Sequence, residues 1–409
     1  MAIVICCPLS RIKSIMLNIE DLFRAYYDAR KNKRGAVSAL AFEVDYEKNL
    51  FELYDEIIKS RYKPGESICF ISNYPVKREI FAALFRDRIV HHLIYNYISP
   101  IFECRFINDS YSCRIGKGVS YGIKRLDHFI RSGSKNYKKD CYILKLDIKG
   151  YFMSINRSIL FNKIKTALER VYERERARVA PDLLLDLIRQ TIFHDPTKNC
   201  RIKGRQSDWR GLPKSKSLFY AGLGYGLPIG NLTSQLFGNI YLNDFDHFVK
   251  GRLGIKHYGR YVDDIAAVHG DKEYLKKIIP KIKRYLSERL NLDLHEKKIY
   301  LQHFSKGVKF LGAVIKPYRI YIANRTKGNF YKKIQYWNNF LAANQDKISR
   351  EDMGRFLASM NSYLGIMGQY DTYKLRKKML NQNLPPRFRD YVLAGDDYVK
   401  LMKRVWRSV

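Results

Sequence analysis

Three aspartates carry the chemistry this sequence offers. Asp147 closes the apolar run YILKL at 142–146, while Asp263 and Asp264 stand side by side in YVDD, flanked by IKHYGRY and IAAV. Each sits where a strand pattern ends. Adjacent carboxylates in an apolar hairpin repel one another unless a cation neutralises them. Hard oxygen donors select Mg²⁺ or Mn²⁺ over zinc. Two such ions about 4 Å apart activate an attacking hydroxyl and stabilise a leaving pyrophosphate, the arrangement for phosphoryl transfer. The plainer reading of a lone Asp-Asp pair is an Asx-type turn at a hairpin tip. A second strand end at Asp147, in so basic a chain, favours the metal reading. Spacing alone does not bring the three carboxylates together.

The charge balance points to the same class of partner. Of 409 residues, 75 are Lys or Arg against 40 Asp or Glu, a net charge of +35. The basic residues recur from Arg11 to Arg407, mixed with aromatics, rather than forming one tail. A field of this size attracts polyanions, and nucleic acid is favoured over a membrane surface. With 46% hydrophobic residues, 31 Tyr and 22 Phe, the chain can bury a large core, which excludes wholesale disorder. No apolar run approaches the roughly 18 residues of a membrane span, and Met1–Leu9 is too short for a signal-peptide core, so a cytoplasmic location is expected. Cysteines at 6, 7, 69, 104, 113, 141 and 200 form no CxxC pair, so neither a disulfide framework nor a zinc site is expected.

The elements that must position these residues can be traced in order. Helical spacing covers 19–33, 45–60 and 79–97, with a short strand at 68–71, a turn at Pro75 and a stop at Pro100. A Gly-flanked basic loop follows at 110–118, then a helix at 119–132 and the strand 142–146 that delivers Asp147. Helices at 157–173 and 181–192 lead into a Gly-, Pro-, Lys- and Ser-rich insertion at 194–224. Helix 231–249, a strand–turn–strand at 256–269, helix 272–290 and strands near 298–303 and 308–322 complete the mixed α+β body. Beyond about 325 the pattern is purely helical, with a capping box at Ser349 and Asp352 and a break at Pro385–Pro386. His91 and His92 lie on an apolar helix without a third ligand at metal spacing and read as packed structure.

Taken in order, LDIKGYF (146–152), GLPIGNLTSQLFGNIYL (226–242), YGRYVDD (258–264) and KFLG (309–312) resemble the successive palm motifs of reverse transcriptases. KREIFAALFRDRIVHH (77–92) and SYSCRIGKG (110–118) resemble the fingers motifs of bacterial group II intron-like enzymes. A four-residue YxDD is weak by itself; six motifs in the right order are strong. Within that class NLTSQ, HDPTKNC (194–200), GLPKSKSLF (211–219) and SYLGIMGQYDTYKLR (362–376) resemble the reverse transcriptases of diversity-generating retroelements.

The resemblance implies an α+β right-hand polymerase with helical fingers at 1–140, an antiparallel-sheet palm at 141–322 and a helical thumb at 323–409. It implies an RNA-directed DNA polymerase, bacterial or phage-encoded, that copies a template-repeat RNA into adenine-mutagenised cDNA for mutagenic retrohoming. Its rivals are a defence or retron-type enzyme making cDNA without diversification, and a catalytically silent RNA-binding module on the same fold. Asp147, Asp263 and Asp264 would hold two Mg²⁺ ions, or Mn²⁺, with the carbonyl of Ile148 as a further ligand. Lys298, or its neighbour Lys297, would protonate the leaving pyrophosphate. Arg78, Arg114 and Lys117 would hold the dNTP triphosphate, and Phe152 would exclude a ribose 2′-OH. Pro228, Ile229, Gly230 and Gln235, with Asn231 nearby, would line the nascent base pair, and Phe310, Leu311 and Gly312 would form a primer grip. Ile229 departs from retroviral enzymes, many of which place Gln there. Expected partners are template RNA, cDNA, dNTPs and a small basic oligomeric accessory variability protein.

Overall fold

The structure, a computed structural model, describes residues 17–31, 35–73, 76–175, 181–344 and 348–404. The expectations at Met1–Leu9, Cys6, Cys7, Arg11, Pro75 and Arg407 lie outside those residues. The chain divides into two compact units. One combines the residues up to Gly118 with Leu144–Tyr300; the other combines Val119–Ile143 with the residues from Leu301 onward. Helix Val119–Gly133 packs on strand Ala313–Lys316, within the second unit.

In the first unit, strands Ser67–Ser72 and Arg78–Ala83 pair antiparallel, Ser67 opposite Ala83, and Cys200–Ile202 joins the other edge in parallel. The second of these strands corrects the sequence reading, which assigned 79–97 wholly to a helix. Glu79, Phe81 and Ala83 alternate inward, a period of two that a short apolar run conceals. The helix itself is Phe85–Glu103, and it carries Pro100 within its last turn rather than stopping there. It packs on Ile19–Arg30 and on Leu232–Tyr241. The insertion is also more ordered than a loop. It contributes the third strand and tight turns at Gln206–Trp209, Lys214–Lys216 and Leu218–Tyr220.

The sheet that carries the carboxylates has four strands in the order His257–Tyr261, Asp264–His269, Tyr142–Asp147 and Tyr300–His303. Its hairpin is antiparallel, with Tyr261 opposite Asp264. Helix Lys272–Leu290 begins at Asp271, whose side chain accepts from the N–H groups of Glu273 and Tyr274. The expected helix 231–249 is divided into Leu232–Tyr241, Asn243–His247 and a wider turn at Phe248–Arg252.

The second unit holds a three-stranded antiparallel meander, Val308–Phe310, Ala313–Lys316 and Arg319–Ile322. Helices Asn324–Ala343, Arg350–Gly368, Tyr373–Asn383 and Pro386–Tyr391 follow. Phe330, Trp337, Phe356, Met360, Leu364 and Phe388 form their core, with the Phe356 and Phe388 rings stacked at 4.3 Å. Ser349 caps its helix: the N–H of Asp352 donates to the Ser349 hydroxyl at 3.0 Å, and that hydroxyl, rather than the Ser349 N–H a capping box would use, donates to Asp352 Oδ2 at 2.6 Å. This region is not purely helical, however, because Val392–Ala394 and Leu401–Lys403 pair as a hairpin. Among the described residues no helix is long and apolar enough to cross a membrane.

Candidate active site

Asp147 ends its strand, and Asp263 lies in the two-residue loop Val262–Asp263 of the neighbouring hairpin. Val262 has φ of +54°, the left-handed region that a β-branched residue rarely adopts. Positive φ at the first loop residue is the pattern of a type II′ turn, whose twist matches the flanking strands.

Asp263 senses the other two carboxylates. Burial pushes the Asp263 carboxyl up from 3.8 to about 6, and the negative charges of Asp147 and Asp264 push it the same way. The positive charge of Arg78, at the start of its strand, opposes the rise. Around them Lys298 Nζ donates to Asp147 Oδ2 at 2.6 Å, and Lys145 Nζ lies 3.4 Å from Asp264 Oδ1. Lys297 is exposed beside Lys298.

Among the described residues no group of three His, Cys, Asp or Glu side chains is disposed to hold a metal ion as it stands. The donor set nevertheless fits a hard divalent cation. Three like charges raise one another's cost, and a cation at their oxygens removes it. The backbone agrees. Ile148 opposes Leu294 as a non-hydrogen-bonded pair, because the two bonds run from His295 N–H to Asp147 O and from Lys149 N–H to Asp293 O, each 2.8 Å. Ile148's own carbonyl is therefore outside both bonds.

Other expected residues fall around the same motifs. Gly150 has φ of +56°, and a Cβ there would stand 2.7 Å from the carbonyl oxygen of Ser215. Phe152 is partly buried beside Cys69, Phe81, Met153 and Leu218, in the cluster that also receives Ile229. The segment 228–230 docks on the strand Arg78–Ala83: Phe81 N–H donates to Ile229 O at 2.8 Å, and Ala83 N–H to Asn231 Oδ1 at 3.3 Å. Gly230, at φ of +130°, is required there, since a Cβ would lie 2.8 Å from Phe81 O. Pro228 is buried and Gln235 exposed.

Two expected triphosphate contacts have other partners. The Arg114 guanidinium donates to Glu103 Oε2 at 2.8 Å, to Ile107 O at 2.7 Å and to Ser110 O at 3.0 Å, and it lies over the Phe106 ring. It braces the loop rather than reaching out from it. Lys117 Nζ donates to Asn108 O and Oδ1, at 2.7 and 2.6 Å. Phe310, Leu311 and Gly312 belong to the second unit, where Leu311 and Gly312, both at positive φ, make the tight turn joining two strands of the meander. His91 is structural: Nδ1 meets the Thr233 hydroxyl at 2.8 Å, and burial lowers its pKa to about 3.

Sequence reading missed Arg260 and Asp246, both fully buried. Arg260 Nε donates to Asp246 Oδ1 at 2.8 Å and Nη2 to Oδ2 at 2.6 Å, while Tyr258 Oη donates to Oδ1 at 2.6 Å. Burial opposes the Arg260 charge, but Asp246 outweighs it and holds the guanidinium protonated. The remaining nitrogen, Nη1, donates to the carbonyl of Val262 at 2.9 Å and so grips the Val262–Asp263 turn itself. The available signal was a charged residue inside the apolar strand YGRY.

Residues 78–315 match the family described as reverse transcriptase (RNA-dependent DNA polymerase). The chain belongs to the reverse transcriptase family. This enzyme is also similar to Protein YkfC of Escherichia coli (strain K12), at 22% identity over 294 residues, 64% of this chain and 69% of the relative. Among solved structures it is similar to telomerase from Candida albicans, determined with a fragment of telomeric RNA, at 12% identity and a TM-score of 0.45. That match covers 84% of this chain and 59% of the telomerase. Apo telomerase from Candida tropicalis gives 14% identity and a TM-score of 0.47, over 83% of this chain and 64% of that one. The reverse transcriptase thus spans about three fifths of these telomerase chains.

Proposed function

We propose that this reverse transcriptase copies a template-repeat RNA into cDNA with frequent errors opposite adenine, for transfer into a variable target gene. The observation that carries the polymerase reading is geometric: Asp147 ends the strand next to the hairpin whose turn holds Asp263 and Asp264, with Tyr261 opposite Asp264. The diversity-generating reading rests on the resemblance of residues 194–200, 211–219, 231–235 and 362–376 to that group, and on Ile229 at the base-pair pocket.

In this scheme the first unit supplies fingers and palm and the C-terminal helices act as thumb. Asp147, Asp263, Asp264 and the Ile148 carbonyl hold divalent cations, Mg²⁺ by preference, whose chemistry is to activate the primer 3′-OH and neutralise the leaving pyrophosphate. Arg78 orients the triphosphate, Phe152 stands against a ribose 2′-OH, and Lys298 carries the proton at Nζ that the pyrophosphate takes up. A small basic accessory protein presents the template RNA.

Primer extension on an adenine-containing RNA template, with every product sequenced, tests the proposal; the Asp263→Ala/Asp264→Ala protein is the control. Errors concentrated at template adenine and absent from the control are the expected result. Accurate products would leave the polymerase and reject diversification in favour of a defence or retron-type role. Ile229 offers a sharper check. A branched apolar side chain cannot hydrogen-bond in the pocket, and losing that polar discrimination costs about 1–2 kcal/mol, roughly 5–30-fold in selectivity. Ile229→Gln is expected to lower misincorporation opposite adenine by that factor, and an unchanged error spectrum rejects this account of the mutagenesis.

A further inference from the structure

The insertion joins the catalytic motifs in an unexpected way. Glu79, 1% exposed, forms no ion pair among the described residues; its carboxylate is satisfied by three donors that all come from the insertion. Trp209 Nε1 donates to Oε2 at 2.7 Å, Ser217 Oγ to the same oxygen at 2.8 Å, and Leu218 N–H to Oε1 at 2.6 Å. Lys77 Nζ adds a bond to Arg210 O at 2.7 Å, and Lys203 N–H one to Cys69 O at 2.8 Å. The other end is pinned against Gly150, three residues past Asp147, whose missing side chain admits the Ser215 carbonyl.

What this scaffold presents outward is cationic. Arg201, Lys203, Arg205, Arg210, Lys214 and Lys216 are all exposed, and Asp208 is the one acidic residue in 201–223. Among the described residues none of the six forms an ion pair with a carboxylate, whereas many lysines and arginines elsewhere do. Aromatic surface accompanies them. Tyr220 is 63% exposed with Lys214 Nζ 5.2 Å from its ring centroid, and Phe219 is 42% exposed. Unpaired cations on a backbone held rigid are costly through mutual repulsion unless a polyanion is the intended neighbour. Cations interleaved with exposed rings are the surface that takes single-stranded nucleic acid, phosphates on the ammonium and guanidinium groups and bases on the rings. A compact triphosphate needs neither the length of this strip nor the rings.

We infer that residues 201–223 form a binding strip for single-stranded RNA, anchored by Glu79 to the strand that carries Arg78 and by Gly150 to the motif that carries Asp147. The strip deepens the polymerase reading, on which it rests, by assigning the insertion to the unpaired template strand.

The test is equilibrium binding of a labelled 20-nucleotide oligouridine to the full chain across a salt series, with no synthesis required. Lys203→Gln/Lys214→Gln/Lys216→Gln, all at exposed positions, is expected to weaken binding about tenfold and to reduce the slope of log K against log salt by about two. Tyr220→Ala is expected to weaken binding at least fivefold while leaving the slope unchanged. Asp263→Ala/Asp264→Ala should bind as the unmodified chain does. Wild-type affinity and slope in the triple variant would overturn the strip. Intact RNA affinity with a raised dNTP KM would also overturn it, assigning the lysines to the triphosphate. Failure of the polymerase reading would appear differently, as no DNA synthesis by the unmodified chain whatever its RNA affinity.

Discussion

Asp263→Asn is expected to abolish primer extension, by a factor of about a thousand or more, and yet to make the metal-free protein more stable at pH 7.5. The loss follows from removing one of the three carboxylates that the proposed two-cation chemistry requires. The gain follows from the same geometry. Asp263 titrates at about 6 in the folded chain against 3.8 ordinarily, because burial and then the charges of Asp147 and Asp264 disfavour its ionised form. A carboxyl raised on folding holds its proton more tightly in the native state. Its unfavourable contribution is absent below about pH 4, grows as pH rises through 6 and is complete above it. The gap is worth at most about 3 kcal/mol, and less at a half-buried position open to solvent. The neutral isostere removes the penalty. Thermal unfolding in a chelator at pH 7.5 should place the variant a few degrees above the parent, and the two should converge below about pH 4. Adding Mg²⁺ should stabilise the parent more than the variant, narrowing or reversing the gap. A variant less stable than the parent in chelator at pH 7.5 would show that these charges are not crowded together.

Arg260→Met is expected to be the most damaging single change away from the carboxylates. It leaves Asp246 fully buried with only the Tyr258 hydroxyl to satisfy it, at a cost of about 3–5 kcal/mol. Arg260→Met/Asp246→Leu removes both charges and should recover most of that stability. It should not recover activity, because the Val262 carbonyl still lacks the N–H that holds the turn at its unfavourable φ. A displaced turn misplaces Asp263 and Asp264, and a fall in kcat of about 10–100-fold is expected with the KM for template little changed. Denaturant unfolding beside steady-state kinetics separates the effects. Recovery of kcat together with stability in the double variant would reduce the ion pair to a packing element. Arg260→Lys keeps the charge but loses the fork, so it should fall between the single variant and the parent.

How much of this was legible beforehand depends on the kind of interaction involved. The hairpin at 256–269, the strand ending at Asp147 and the Ser349 cap were readable because alternation, abrupt polar ends and cap chemistry act between residues close in sequence. The strand Arg78–Ala83 was not. REIFAA is short and apolar, and its partner strand and the docked segment at Ile229, rather than its own pattern, select the extended form. The terminal hairpin at 392–403 was missed for the same reason. Arg114 and Lys117 show the opposite limit: residue type and motif position made them candidates for phosphate, but whether a guanidinium or ammonium group is free depends on carbonyls and carboxylates that spacing does not reveal.

By itself, the sequence determined the three carboxylates, the order of the motifs, the basic field and the α+β alternation, because these are properties of composition and local pattern. Only the tertiary structure decided that Asp147, Asp263 and Asp264 share one electrostatic environment, that Arg260 and Asp246 hold the turn between them, and that Glu79 ties the insertion to the strand bearing Arg78. Those contacts join residues up to 139 positions apart, as between Glu79 and Leu218, and a long-range contact of that kind forms only when packing offsets the entropy of closing the loop.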